Sequence, residues 1–159
     1  LFDKAIERKE HPDILYSRAM LAEKMGRLDI LETDLKKIIE EDANNATALN
    51  ALGYTLADRT DRYDEAYDYI KRAYELSSSD FYILDSMGWV LYRLGRLDEA
   101  IEYLRKAFAL RKDPEIAAHL GEVLWVKGDK QAAKEIWETA LKDTPTDVRL
   151  LDVIKRFKP

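Results

Sequence analysis

Small residues recur along this chain at a fixed interval, and that recurrence narrows the fold more than any other feature. Ala19, Gly53, Gly88 and Gly121 stand 34, 35 and 33 residues apart. Ala66, Ala100 and Ala133 form a second track at intervals of 34 and 33, and Ala73, Ala107 and Ala140 form a third. Three tracks at one period mean that one structural unit of about 34 residues is repeated. Within DSMGWVLYRLGRLDEA, flanked by Leu84, the residues Leu84, Met87, Gly88, Leu91 and Leu94 fall on one helical stripe, the spacing of a helix that buries one face.

Each unit divides into two helices, A then B. In the third unit the spacing predicts helix A over about Phe81–Leu94 and helix B over about Leu97–Leu110. Gly95 lies between them, where a left-handed residue closes helix A without a Cβ penalty. Gly26 and Gly128 hold the same place in their units. The second unit reads ADRTDRYDEA there, one residue longer and without Gly, which accounts for the interval of 35. Asp80 and Asp113 stand at N-cap positions, and Pro114 follows at the first helical position, where its missing N–H costs nothing. Pro12 has the same phase as Pro114. Gly or Ala at the A–B crossing lets two backbones approach and pack ridge into groove. The expected fold is therefore all-α, a solenoid of antiparallel helix pairs.

Four units fit the chain: residues 12–45, 46–80, 81–113 and 114–147. Residues 1–11 match the second helix of a preceding unit, FDKAIERKEHP beside LRKAFALRKDP at 104–114. Residues 148–159 read as a capping helix whose Lys155, Arg156 and Lys158 have the right sign for a helix C-terminus. Solenoids need such end covers. The N-terminal end carries none, so Phe2 and Ile6 are expected to be partly exposed or sealed in a homo-oligomer. The chain lacks an initiator Met and opens in helical rhythm, and it reads as a piece of a longer protein.

The apolar pattern is Leu49, Leu52, Gly53 and Leu56 with Ala66, Ile70 and Ala73. It recurs as Leu84, Met87, Gly88 and Leu91 with Ala100, Leu104 and Ala107, and as Leu120, Gly121 and Leu124 with Ala133, Trp137 and Ala140. This pattern resembles the tetratricopeptide repeat over roughly residues 1–147. The departures are Ala117 for the first Leu of the fourth unit, Arg18 where a Leu is usual, Ile38 where an Ala is usual, and a closing Pro that occurs only at Pro145. The resemblance implies a right-handed superhelix with the A helices lining its concave side. It also implies that the side chains off the packing stripe face the groove.

Those positions carry Tyr16, Tyr54, Tyr82, Trp89, Tyr92 and Trp125 beside Asn50, Asp85, Arg93 and Glu122, with His119 alongside. Tyr and Trp offer large contact area with a polar tip, and they dominate binding hot spots. Two readings of the stripe stay open: a partner-binding groove, or rings packed against the adjacent A helix or a returning C-terminal helix. Trp137 sits on the helix B packing track and reads as core. His119 reads more readily as a hydrogen-bonded helix histidine than as a ligand, and Arg93 is placed to pair with a groove acid such as Asp58. A known subtype of the family grips C-terminal carboxylates with Lys and Asn on successive A helices. The matching positions are Tyr16, Met20, Asn50, Tyr54, Asp85 and Trp89, of which Asn50 alone is the right type, so that clamp is not expected.

The net charge of −5, with both signs interspersed, leaves no basic stripe for a nucleic acid. The absence of Cys excludes disulfides and thiolate chemistry. No apolar run approaches the ~20 residues of a membrane-spanning helix. The two histidines, His11 and His119, lie more than three units apart, and no HExxH, GxSxG or phosphate-loop motif occurs. The chain is therefore read as a non-enzyme with no catalytic residue, cofactor or metal.

Two stretches are more particular, ILDSMGWVLYRLGRLDEAIEYLRKA and DPEIAAHLGEVLWVKGDKQAAKEIWETAL. They resemble the C-terminal repeats of proteobacterial outer-membrane tetratricopeptide-repeat lipoproteins. Some of those are adaptors that bind a carboxyl-terminal processing protease and present cell-wall hydrolases to it. The resemblance implies a protein- or peptide-binding scaffold at the periplasmic face of the outer membrane, held by an upstream lipid anchor. It makes Trp89, Glu122 and Trp125 surfaces of interest. The alternatives are a structural or oligomerising stretch of a longer solenoid that binds upstream, and a cytoplasmic assembly factor.

Overall fold

The caps and turns of the sequence set the helix ends. The computed structural model describes residues 11–157. Its helices are α1 (Pro12–Lys24), α2 (Leu28–Glu41), α3 (Ala46–Arg59), α4 (Tyr63–Leu76), α5 (Phe81–Arg93), α6 (Leu97–Leu110), α7 (Pro114–Lys127), α8 (Lys130–Asp143) and α9 (Val148–Phe157). Asn45, Asp80 and Asp113 accept backbone N–H groups of Ala48, Tyr82 and Glu115 at 3.0, 2.8 and 2.8 Å, which satisfies first-turn donors that have no helical partner. Gly26, Gly95 and Gly128 have φ of 73°, 82° and 108°. In each case the following N–H reaches five residues back, as in Arg96 to the Leu91 carbonyl at 2.9 Å, the Schellman closure that a left-handed residue permits. The second unit closes differently. Thr60 donates its hydroxyl to the Leu56 carbonyl at 2.6 Å and accepts the Arg62 N–H at 3.0 Å, so a side chain does there what glycine does elsewhere. Helix α5 ends at Arg93, one residue before the expected end, with Leu94 as its cap.

The molecule is an all-α solenoid of antiparallel helix pairs, and no strand occurs among the described residues. The reading of the first residues as a preceding B helix, with Phe2 and Ile6, lies outside the described residues, as does Lys158. Each A helix (α1, α3, α5, α7) packs on its own B helix, and each B helix on the next A helix. The small-residue tracks lie at these crossings. A Cβ on Gly53 would sit 2.5 Å from Ile70 Cγ1 and 3.0 Å from the Ala66 carbonyl, and one on Gly88 or Gly121 would overlap Leu104 or Trp137. Trp137 is 1% exposed, in the core as its track implies.

The first unit breaks the apolar pattern in two places at once. Arg18 donates two hydrogen bonds to Asp34 at 2.7 and 2.8 Å, and Asp34 is 2% exposed. Asp34 occupies the position of Tyr69, Tyr103 and Ile136 in the other units. A forked, charge-assisted pair thus replaces an apolar contact across the same crossing. At the other end α9 packs mainly on α7, burying Leu150 and Val153. One contrast positions the site: α3 packs against α5, and α5 meets α7, but α1 and α3 make at most marginal contact.

Candidate functional site

Between α3, α5 and α7 the concave stripe closes into a polar network. Asp85, Trp89, His119 and Glu122 are all buried. His119 Nδ1 lies 2.9 Å from Asp85 Oδ1, and its Nε2 lies 3.2 Å from the Tyr54 hydroxyl. That hydroxyl donates to Glu115 Oε1 at 3.2 Å. The imidazole stacks on the Trp89 indole with ring centres 4.2 Å apart and planes at 26°. Trp89 Nε1–H donates to Asp58 Oδ1 at 3.2 Å. Burial disfavours a charged His119, but the Asp85 carboxylate, by charge and by hydrogen bond, outweighs it together with Glu115 and Asp58, so the pKa rises above the ordinary imidazole value. When protonated, the ring donates to Asp85 on one side and to Tyr54 on the other, and its face stacks on the indole. Burial, followed by the charges of Asp58, Glu115 and Asp85, raises the Tyr54 phenol far above its usual range.

The C-terminal part of the stripe is closed by α9. Trp125 stacks on Trp137 at 5.7 Å and lies 6.4 Å from Phe157. Arg156 of α9 reaches Glu122 at 3.3 Å. Tyr92 is partly buried, 5.0 Å from the Trp89 ring, and its phenol is raised by burial and by Glu122. Trp89 is buried against the neighbouring A helix, and Trp125, half-buried, packs on Trp137 and the terminal helix. Arg93 does not pair with Asp58. It is exposed, donates to the Tyr63 hydroxyl at 2.8 Å and lies over that ring.

The open part lies where α1 and α3 diverge. A cleft of about 530 Å³ sits between α1, α3 and α5, with Glu115 of α7 at its edge. Tyr16, Asn50, Tyr54, Tyr82 and Asp85 line it. Trp89, Tyr92, Arg93, His119, Glu122 and Trp125 do not. The lining adds Met20, Glu23, Asp58, Arg59, Asp80 and Glu115, among others. Met20, Glu23, Asp58 and Glu115 occupy off-stripe positions and were legible as such. Asp80 was legible only as a cap. Asn50 Oδ1 is buried with no hydrogen-bond partner among the described residues. No group of His, Asp or Glu among the described residues is arranged to hold a metal ion, and no helix among them is long and apolar enough to cross a membrane.

Two tetratricopeptide-repeat family models match residues 44–113 and 91–156, together more than half of the sequence, and the chain belongs to that family. It is 50% identical over 117 residues to TPR repeat-containing protein PA4667 of Pseudomonas aeruginosa, a match covering 72% of this chain and 20% of that one. The chain thus spans about a fifth of the length of that relative. Among solved structures it is similar to the thermophilic TPR protein TTC0263 of Thermus thermophilus, with a TM-score of 0.79 and 24% identity over 98% of this chain and 84% of that one. It is also similar to MamA from Desulfovibrio magneticus RS-1, with a TM-score of 0.73 and 21% identity over 90% and 81%. At these identities the two structures show the shared fold alone. Repeats of this family are generally non-catalytic scaffolds that mediate protein–protein interactions.

Proposed function

We propose that this array is a non-catalytic scaffold whose concave cleft between α1, α3 and α5 holds an extended segment of a partner protein. The cleft carries this reading: about 530 Å³ of open space walled by Tyr16, Met20, Tyr54 and Tyr82, with the Asn50 amide at its edge. In its finer form the proposal places the array in a longer protein anchored by lipid at the periplasmic face of the outer membrane. The segment then belongs to a carboxyl-terminal processing protease or to a hydrolase presented to it. The resemblance carried by DSMGWV and HLGEVLW supports this form.

A pull-down from envelope extract tests it, with the chain run beside its Tyr16→Ala/Asn50→Leu variant. Recovery of a protease or hydrolase by the unmutated chain alone is expected. Equal recovery by both would remove the cleft as the site.

A second reading, that the array extends or pairs a solenoid, is favoured by Ile14, Leu21 and Met25. Ile14 and Leu21 share one face of α1, Met25 caps its C-terminus, and they are 59%, 59% and 68% exposed. Sedimentation across a hundredfold concentration range tests it; a constant monomer mass would exclude self-pairing.

A further inference from the structure

Five carboxylates line the cleft, from Glu23, Asp58, Asp80, Asp85 and Glu115, against one guanidinium, that of Arg59. Their partners separate them. Glu23 holds Arg59 at 2.9 Å. Asp85 holds the His119 ring, whose pKa is raised, and Glu115 holds Arg149 of α9 at 2.9 Å. Asp80 caps α5 through the Tyr82 N–H at the rim. Asp58 is different. It is exposed, its hydrogen bond from Trp89 comes from a neutral donor, and no cation among the described residues forms an ion pair with it, His119 feeling its charge only at a distance. The single lining cation cannot serve it, because Arg59 is directed at the Glu23 carboxylate and carbonyl.

We infer that the segment held in this cleft carries a lysine or arginine side chain, seated against Asp58. The inference rests on the cleft being the binding site and adds the chemistry of its occupant. Two features fit that occupant together. The excess charge is negative and sits in an open carboxylate. The aromatic and thioether walls, Tyr16, Tyr54 and Met20, suit the apolar stem of a long cationic side chain and the cation itself. A segment with an acidic side chain would meet the uncompensated carboxylates of Asp58 and Asp80 and be repelled.

The test uses four pools of synthetic peptides, acetylated and amidated at their ends and degenerate except for a central Lys, Arg, Gln or Glu. Retention on the immobilised chain is read by mass spectrometry. Retention of the Lys and Arg pools is expected about fivefold above Gln, with Glu lowest, and the advantage should shrink as salt shortens the Debye length. Asp58→Asn keeps an acceptor for the Trp89 indole, so the fold is preserved while the charge is lost. It should abolish the cationic advantage and leave the Gln pool unchanged. Asp80→Asn, at the rim, should leave most of the advantage in place. Equal retention of Gln and Lys pools, both lost in Tyr16→Ala/Asn50→Leu, would overturn the cationic requirement while the cleft reading stands. A Lys preference that persists in Asp58→Asn would overturn the seat assigned to it. Displacement of the Lys pool by equimolar spermidine would replace a peptide occupant with a small cation. No retention of any pool would overturn both the occupant and the cleft reading.

Discussion

Gly121→Ala should destabilise the array, although the same change inside an exposed helix would stabilise it. Alanine gains about 1 kcal/mol over glycine in a helix interior. At Gly121, however, the new Cβ would overlap three atoms of the Trp137 indole. That indole cannot swing into solvent: it is 1% exposed and stacked between Trp125 and Phe157. Forcing one methyl group into such a site costs about 1–3 kcal/mol, and the rigidity of the ring stack places this case at the upper end. After the helical gain a net loss of about 1–2 kcal/mol remains. For a chain of this size that lowers Tm by roughly 2–8 °C. Urea and thermal unfolding followed by circular dichroism measure it.

The structure also supplies the rescue. Ala19 in the first unit stands opposite Leu35, so an Ala–Leu crossing is already tolerated in this fold. Trp137→Leu alone should cost about 3 kcal/mol through its cavity. The double variant Gly121→Ala/Trp137→Leu should be more stable than the sum of the single losses by at least about 1 kcal/mol, the mark of directly coupled sites. A Gly121→Ala variant as stable as the unmutated chain would refute the reasoning, since the indole would then have room to withdraw.

Three further outcomes are expected. Trp89→Ala should cost about 3–5 kcal/mol, because it removes a ring that is 6% exposed and stacked on His119; a small loss in urea unfolding would return Trp89 to the groove. The His119 pKa is raised by Asp85, Glu115 and Asp58 against the opposing effect of burial, so its ion pair contributes full stability below the unfolded value of 6.5 and loses it as pH climbs through the higher folded value. The stability gap between the unmutated chain and His119→Gln should accordingly be larger below pH 6.5 than in alkali, and a gap that widens in alkali would reverse the assignment. Glu32 is lowered from 4.5 to about 2, first by its hydrogen bonds from Arg62 and then by Lys36; with Arg62 partly exposed, solvent screening leaves about 1–2 kcal/mol. That contribution is present above pH 4.5 and lost as pH falls through 2, so Glu32→Gln should destabilise at neutral pH and converge with the unmutated chain in acid.

The parts of this structure that could be read from the sequence are those decided within one helix pair. Gly53, Gly88 and Gly121 have no room for a Cβ because Ile70, Leu104 and Trp137 lie directly across the same crossing, so the steric demand writes itself into the period. Caps and left-handed glycines act within a few residues, and helix ends therefore follow from them. The use of the second stripe is decided between pairs. Tyr16 and Trp89 are the same kind of residue on the same kind of stripe, yet one lines an open cleft and the other is buried, because α1 and α3 diverge while α3, α5 and α7 close up. Spacing between repeats is a sum of small rotations that no single residue declares.

Charge follows the same division. On the closed side the stripe's carboxylates have their cations: Glu122 has Arg156, Glu115 has Arg149 and Asp85 has His119. Two of those three cations come from α9, so the terminal helix neutralises the stripe as well as covering it. Its reach ends at Glu115, and the next carboxylate along the stripe, Asp58, receives only an indole N–H among the described residues. The reach of α9 thus accounts for the paired carboxylates on α7, while the pairing on α5 comes from α7 through His119.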